Sequence, residues 1–359
     1  MYSSNPLTEI DCRTKQAMRS PYKNNLNVVG VALAKNIIQV SVVTPAGKEL
    51  QNKALTRKKF SEFLARQKPS LVAFEACAMA HYWSRIAQQH GHAAKIIPAK
   101  AVTPFRQGHK TDSNDALAVA EAARRPNINE APMKTIEQQG IQAIQRSREL
   151  LVQNRTALSN HIRGLLMEFG IVIPQGFAAL HRRIPEVLED AENELPDLYR
   201  PTLNLLYGRL ITIKEDIDVL NEQIAAIVKQ NVACDRLTKL EGVGPISSVL
   251  LYATLGTGEA FANGRQFSAY LGLTPKQYSS GGKTVLIGLS RYVANKRLRS
   301  VLIQGARAYV HRLKDPRTPK ERWLWALIQR AGYGRAAVAL ANKNARTAWA
   351  LLTQGVEYK

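Results

Sequence analysis

Two acids three residues apart, Asp112 and Asp115, stand in the run Lys110-Thr111-Asp112-Ser113-Asn114-Asp115-Ala116, ahead of an uninterrupted Ala-rich segment from Ala116 to Arg124. Helix positions i and i+3 share a face, so both carboxylates can be directed at one point. Hard cations such as Mg²⁺ take oxygen ligands, and paired ions can clamp a phosphodiester during in-line displacement. The same residues also suit a plain helix start, with Thr111 or Asp112 as N-cap and Asp115 near the positive dipole end. A third acid, Glu75, follows the apolar run Leu71-Val72-Ala73-Phe74 and precedes Ala76-Cys77-Ala78. A charge inside an apolar stretch is costly unless compensated, and metal coordination is one compensation.

A different chemistry is offered by Ser279-Ser280-Gly281-Gly282-Lys283. Serines in a glycine-rich loop commonly mark a flexible turn. They can also supply a nucleophilic hydroxyl, with glycines leaving room for a phosphate and Lys283 stabilising the developing charge. No histidine lies nearby as general base, so activation must come from elsewhere, and a metal site is the obvious supplier. Arg291, Lys296, Arg297 and Arg299 follow, and Lys110 adjoins the acidic run; such cations can track a nucleic-acid backbone. Upstream, Leu240-Glu241-Gly242-Val243-Gly244-Pro245 lies between two helical runs and matches a helix-hairpin-helix turn. Gly242 and Gly244 would let backbone N–H groups at a helix start approach a phosphate, which positions nucleic acid without reading its sequence. A simple turn between helices is the alternative.

Three types of element must position these residues. Residues 1–25 carry no pattern and read as a disordered lead-in. Strands are expected over 27–34, 37–44, 48–55, 71–75 and 93–97, with helices over 57–67, 80–90 and 116–124. The order β-β-β-α-β-α-β-α predicts an α/β domain at 26–130. Its sheet is mixed, the first three strands antiparallel and the later ones parallel through helical crossovers. Sites in such sheets gather at strand C-terminal ends, where Glu75 sits. Residues 131–235 read as all-α. Within the helix expected over 202–228, Leu203, Leu206, Leu210, Ile213, Ile217, Leu220, Ile224 and Ile227 form an unbroken a/d heptad seam. The seam is roughly 37 Å long at 1.5 Å per residue and predicts a coiled coil. Its partner is the 135–169 helix of the same chain or another chain, with a dimerising role expected. A helical C-terminal domain occupies 236–345 and a tail 346–359.

The chain of 359 residues has 50 Lys+Arg against 28 Asp+Glu, a net charge of +22. That balance predicts a polyanionic partner. The charge is +10 over 1–130, −3 over 131–235 and +15 over 236–359, so the two ends are expected to hold nucleic acid. Cys12, Cys77 and Cys234 form no CxxC pair, which argues against a zinc site or a disulfide framework. His90 and His92 read as surface histidines. No signal-peptide core and no stretch of roughly 18 apolar residues occurs, so a cytoplasmic, nucleoid-associated protein without a membrane partner is expected.

Taken together, VGVALAKN at 29–36, FEACAMAHYW at 74–83, KTDSNDA at 110–116, LEGVGP at 240–245, YLGLTP at 270–275 and SSGGK at 279–283 resemble the DEDD transposases of insertion sequences, the IS110 family, in its IS1111 branch. The resemblance covers about residues 26–345. It implies a RuvC-like, ribonuclease-H-like first domain whose acids bind Mg²⁺. It also implies a C-terminal transposase domain whose serine attacks DNA to form a phosphoserine intermediate. A structured guide RNA (bridge or seek RNA) pairing with donor and target DNA is implied too, as are homodimers or homotetramers that share active sites between protomers. Glu75, Asp112 and Asp115 match the last three acids, and Ser280 matches the nucleophile, with Ser279 adjacent. The family's first acid falls at Ala32. Losing even an outer-shell partner typically costs about 10–100-fold in metal affinity or activity, so this copy is expected to be impaired, through an engineered or a natural change. Two other readings use the same residues: a metal-dependent DNA junction nuclease with a purely structural serine loop, and a non-catalytic nucleic-acid-binding protein.

Overall fold

A computed structural model describes residues 26–290, 293, 295–355 and 358. The lead-in 1–25 and Arg291 lie outside the described residues. The chain divides into two compact units, 1–135 and 136–359.

The first unit is built on five strands: β1 (Val28–Leu33), β2 (Ile37–Val43), β3 (Glu49–Thr56), β4 (Leu71–Glu75) and β5 (Ala93–Ile97). Their order in the sheet is β3-β2-β1-β4-β5. The β1/β2 and β2/β3 pairs are antiparallel, whereas β1/β4 and β4/β5 are parallel. This is the mixed sheet that the sequence predicts. The central strands are apolar on both faces because both are covered. Val29, Val31, Val72 and Phe74 pack with Phe60 and Leu64 of α1 (Arg57–Arg66) and with Trp83 and Ala87 of α2 (Ala80–Gln89). Val28 and Ala73 face the other way, onto Ala118, Val119 and Ala122 of α4 (Asp112–Ala123). A short helix, α3 (Ala99–Val102), and a 3₁₀ turn over Thr103–Phe105 lead from β5 toward α4. Thr111 is the N-cap of α4, its hydroxyl accepting the Asn114 N–H at 3.3 Å. Its first turn is acidic, which suits the helix dipole.

His92 is buried, which corrects its reading as a surface residue. Its Nδ1 accepts the Ser70 N–H at 3.2 Å and its Nε2 donates to the Leu64 carbonyl at 2.8 Å, so the ring ties β5 to α1 and the start of β4.

In the second unit, α5 (Ile136–Met167) and α7 (Arg200–Gln230) run antiparallel. Ile162 and Leu166 meet Leu203 and Leu210 at one end, and Ile141 meets Ile224 and Val228 at the other. Along the heptad seam Leu203, Leu210, Ile217 and Ile224 are buried, while Leu206, Ile213, Leu220 and Ile227 remain half-buried. Much of the seam is therefore covered within one chain, by α5 and by α6 (Phe177–Glu189). The helices α8 (Val232–Thr238), α9 (Pro245–Leu255), α10 (Gly264–Tyr270), α11 (Lys296–Arg312), α12 (Pro319–Ala331) and α13 (Tyr333–Gln354) complete the unit. They pack around one large apolar cluster that includes Leu251, Phe267, Leu302 and Leu340. A hairpin, β6 (Pro275–Ser280) with β7 (Lys283–Leu289), is inserted between α10 and α11. Helix α13 passes through residue 345 without a break.

The start of α12 carries a pH-dependent contribution. Thr318 and Glu321 form a capping box. Glu321 accepts the Thr318 N–H at 2.8 Å, the Tyr309 hydroxyl at 2.8 Å and the Arg317 N–H at 2.9 Å. These donors favour the carboxylate and hold its pKa at about 2, against 4.5 for a free glutamate. A depressed pKa stabilises the fold above the unfolded value, and that contribution is lost as pH falls from about 4.5 to about 2. Glu321→Gln should therefore lower the melting temperature at neutral pH, with the gap to the parent closing below pH 4.5 in circular-dichroism melts.

Candidate functional site

The acidic site is built at the C-terminal ends of β1 and β4. Their parallel pairing runs as far as Val31↔Phe74. The next residues along the two strands are Ala32 and Glu75, one position beyond the last β1/β4 pair; Ala32 pairs with Gln39 of β2 and Glu75 with Ile97 of β5. Side chains alternate along a strand, so both share the face of Gly30 and Ala73. That face is roofed by α4. A Cβ on Gly30 would lie 2.1 Å from the Ala116 carbonyl oxygen, so β1 and α4 touch backbone to backbone. Asp112 and Asp115 occupy the helical turn just before Ala116.

Glu75 and Asp115 line one cavity of about 300 Å³, together with Val102, Thr103, Arg106 and Lys110. The Arg106 guanidinium lies 3.3 Å from Asp115 Oδ1. Asp112 is exposed and is not part of this lining. Two of the three acids are thus brought together, along with Lys110. Arg106, which the sequence did not single out, enters from the 3₁₀ turn.

The donor set decides whether a divalent cation would fit. The cavity offers two carboxylates, one of them already paired with a guanidinium, and a lysine shares the space. Among the described residues, no group of three or more His, Cys, Asp or Glu side chains is arranged to hold a metal. Ala32 is not part of this lining and contributes no oxygen. The residues as they stand do not make a complete site.

The serine run forms the tip of the β6/β7 hairpin instead of a loop. Gly281 and Gly282 have φ of +54° and +78°, the left-handed pair that a two-residue type I′ turn requires. Ser280 and Lys283 are the closing pair, and Ser279 faces Thr284 across the ladder. The two serines differ. Ser279 Oγ accepts from Gln277 Nε2 at 2.8 Å and lies 3.3 Å from Thr284 Oγ1. Ser280 Oγ has no hydrogen-bond partner among the described residues, and the two turn residues between it and Lys283 are exposed glycines. The hairpin also exposes Tyr278, Val285, Leu286 and Ile287.

The other basic and glycine positions separate into two groups. Lys296 and Arg299 line a second cavity of about 430 Å³ near the start of α11. Arg299 also donates to the Ser290 carbonyl at 2.5 Å. Arg297 is paired with Glu149 of α5 at 3.2 Å, so its charge is partly spent inside the unit. In the α8–α9 turn, Gly242 has φ +77°, and a Cβ there would meet the Gly305 carbonyl at 2.6 Å. Close packing on α11 accounts for that glycine. Gly244 is different: it is exposed, caps α9 without a side chain, and has open space around it.

The family model for DEDD transposases of IS110 elements matches residues 29–171, and that for the transposase IS116/IS110/IS902 family matches residues 234–321. The chain is 38% identical over 335 residues to the transposase for insertion sequence element IS1111A of Coxiella burnetii, covering 93% of this chain and 92% of that one. It is 40% identical over 336 residues to a probable family 20 transposase of Pseudomonas aeruginosa, covering 93% and 99%. It is 35% identical to the transposase for insertion sequence element IS1328 of Yersinia enterocolitica, again over 93% and 99%. The chain belongs to the IS110 family of transposases. In this transposase the first matched stretch holds Ala32, Glu75, Asp112 and Asp115, and the second holds Gly244, Ser280, Lys283 and Lys296. Among the described residues of the transposase, no helix is long and apolar enough to cross a membrane.

Proposed function

We propose that this transposase is an RNA-guided DNA recombinase that cuts and rejoins DNA through Ser280, and that Ala32 impairs it. The observation that carries the reading is the Ser280 hydroxyl, without a hydrogen-bond partner among the described residues, at an exposed Gly-Gly tip with Lys283 as its cross-strand neighbour. Ser280 Oγ attacks a backbone phosphorus and a new Oγ–P bond forms. One strand's P–O bond breaks, and that strand end leaves as an alcohol, taking up a proton. Lys283 stabilises the charge gathering on the phosphoryl oxygens. Residues 275–289 contain no His, Asp or Glu, so the serine proton goes to a base outside the hairpin. We assign that role to the Glu75–Asp115 cavity, supplied by the same or a partner protomer in a homodimer or homotetramer. Mg²⁺ is the cation the family pattern calls for, with Glu75, Asp112 and Asp115 as its acids, and this donor set lacks the acid at position 32. Gly244 at the start of α9, Lys110, Lys296 and Arg299 hold nucleic-acid backbone, and guide RNA and the two DNAs share the basic surfaces.

The test uses Ala32→Asp as background and suicide DNA substrates on a denaturing gel. A protein–DNA adduct is expected, lost in Ser280→Ala and retained in Ser279→Ala. An adduct that persists in Ser280→Ala would move the nucleophile to Ser279. Cleavage without any adduct would favour a junction nuclease, and no cleavage at all would favour a binding protein. Co-purification of a discrete RNA is expected with the parent chain.

A further inference from the structure

We propose that a groove on the C-terminal unit, formed between α12, α13 and the start of α10, seats a short unpaired stretch of nucleic acid, with one base stacked on Trp323. This deepens the nucleic-acid reading above and rests on it. The groove has a volume of about 1060 Å³ and no acid in its lining. Four cations face it: Arg265, Arg335, Lys343 and Arg346. None of them is in an ion pair among the described residues. By contrast, Lys320 on the neighbouring α12 is bound to Glu241 and Tyr358. Four unneutralised cations around one concavity attract a polyanion.

The layout fits a strand. Arg335, Lys343 and Arg346 fall on one face of α13 with Ala339 and Ala350. From Arg335 to Arg346 is about 16 Å along the helix, and Ala339 leaves a shallow floor between Arg335 and Lys343. Trp323 at the rim keeps 40% of its surface exposed, and Lys343 Nζ lies over one face of its ring, 4.6 Å from the centroid, so a base stacks on the opposite face. Large aromatics exposed beside cations serve as stacking platforms, because every base has a π-face. Inside a duplex both faces of a base are stacked on its neighbours, and so the groove favours unpaired nucleotides. Pro275 and Leu289, the base of the Ser280 hairpin, complete one wall. Ser280 is five residues beyond Pro275, about 17 Å along an extended strand, so a seated strand lies within a few nucleotides of that hydroxyl. Trp323 and all three α13 cations lie beyond the stretch matched by the C-terminal family model, which ends at residue 321.

Fluorescence anisotropy on the full-length chain tests this, with end-labelled oligothymidylate, oligouridylate and a DNA duplex of equal length. Trp323→Ala should weaken single-strand binding about tenfold, the scale of one lost base stack, and leave duplex binding within about twofold; Trp323→Phe, which keeps a ring, should retain most of the affinity. Arg335→Ala and Arg346→Ala should each flatten the salt dependence of single-strand binding by about 0.7 in log–log slope. The tighter of the two single strands identifies the occupant as DNA or RNA. If Trp323→Ala binds single strands like the parent, or loses duplex and single strand equally, the groove proposal is overturned while the transposase reading stands. A parent chain that binds none of the three probes overturns both.

Discussion

Ala32→Asp is expected to turn a chain with little response to divalent cations into one that Mg²⁺ or Mn²⁺ stabilises and activates. The residue sits near the end of β1, one position past the last β1/β4 pair, on the sheet face that it shares with Gly30 and Glu75 and that α4 covers at Gly30. A carboxylate there would share that face with Glu75. Two carboxylates so placed disfavour each other's ionisation, so in chelator A32D should melt below the parent. A cation binding only the folded site reverses the sign, because a ligand selective for the native state raises its stability with concentration. The parent has the opposite balance: Arg106 sits on Asp115, Lys110 shares the cavity, and the metal would have to compete with both. Strand joining by A32D should exceed that of the parent by about 100-fold or more, since even outer-shell losses reach that size. A melting temperature indifferent to Mn²⁺ in A32D would remove the acidic cavity from the mechanism.

Much of the first unit is legible from local signals. The apolar runs of β1, β2 and β4 are interrupted by turn residues at the right places, and Thr111 caps α4 as its sequence context suggests. Glu75 was visible because a charge ends an apolar strand. Arg106 was not: its pairing with Asp115 depends on the 3₁₀ turn folding back, and no periodicity encodes that. His92 looked like a surface residue because its two partners, Ser70 and Leu64, lie far away in sequence. The hairpin was hidden for a different reason. Strands β6 and β7 bury neither face, so the alternation that betrays a half-buried strand has nothing to report. Only the Gly281-Gly282 pair pointed to a turn. The basic groove was invisible because Arg265 and Arg346 are 81 residues apart and α13 carried no motif.

Gly30→Ala should be among the most damaging single substitutions in the chain. A Cβ at that position would stand 2.1 Å from the Ala116 oxygen, 2.5 Å from the Ala120 nitrogen and 2.8 Å from the Ala120 Cβ. All three belong to a helix backbone or to a side chain with no rotamer, so no local rotation relieves the overlap. The strand cannot retreat either. Gly30 is paired with Ser41 on one side and Ala73 on the other, in the middle of the sheet. Helix α4 must lift, and with it the packing of Val119, Ala120 and Ala123 over Val28 and Val43. Overpacking a tight core typically costs about 1–3 kcal/mol, occasionally more, and a backbone-on-backbone clash belongs at or above the upper limit. The same displacement carries Asp112 and Asp115 away from Glu75, so any activity recovered through A32D should be lost in the double variant. Gly140→Ala is the control. It lies within α5 with nothing inside 4 Å of the new Cβ, and exchanging a helix-interior glycine for alanine should stabilise by about 1 kcal/mol. Hydrogen-exchange protection of the α4 amides separates the two outcomes: G30A should expose them while G140A leaves them unchanged. Equal protection in G30A and the parent would mean that β1 and α4 are not in the close contact on which the geometry of the acidic cavity depends.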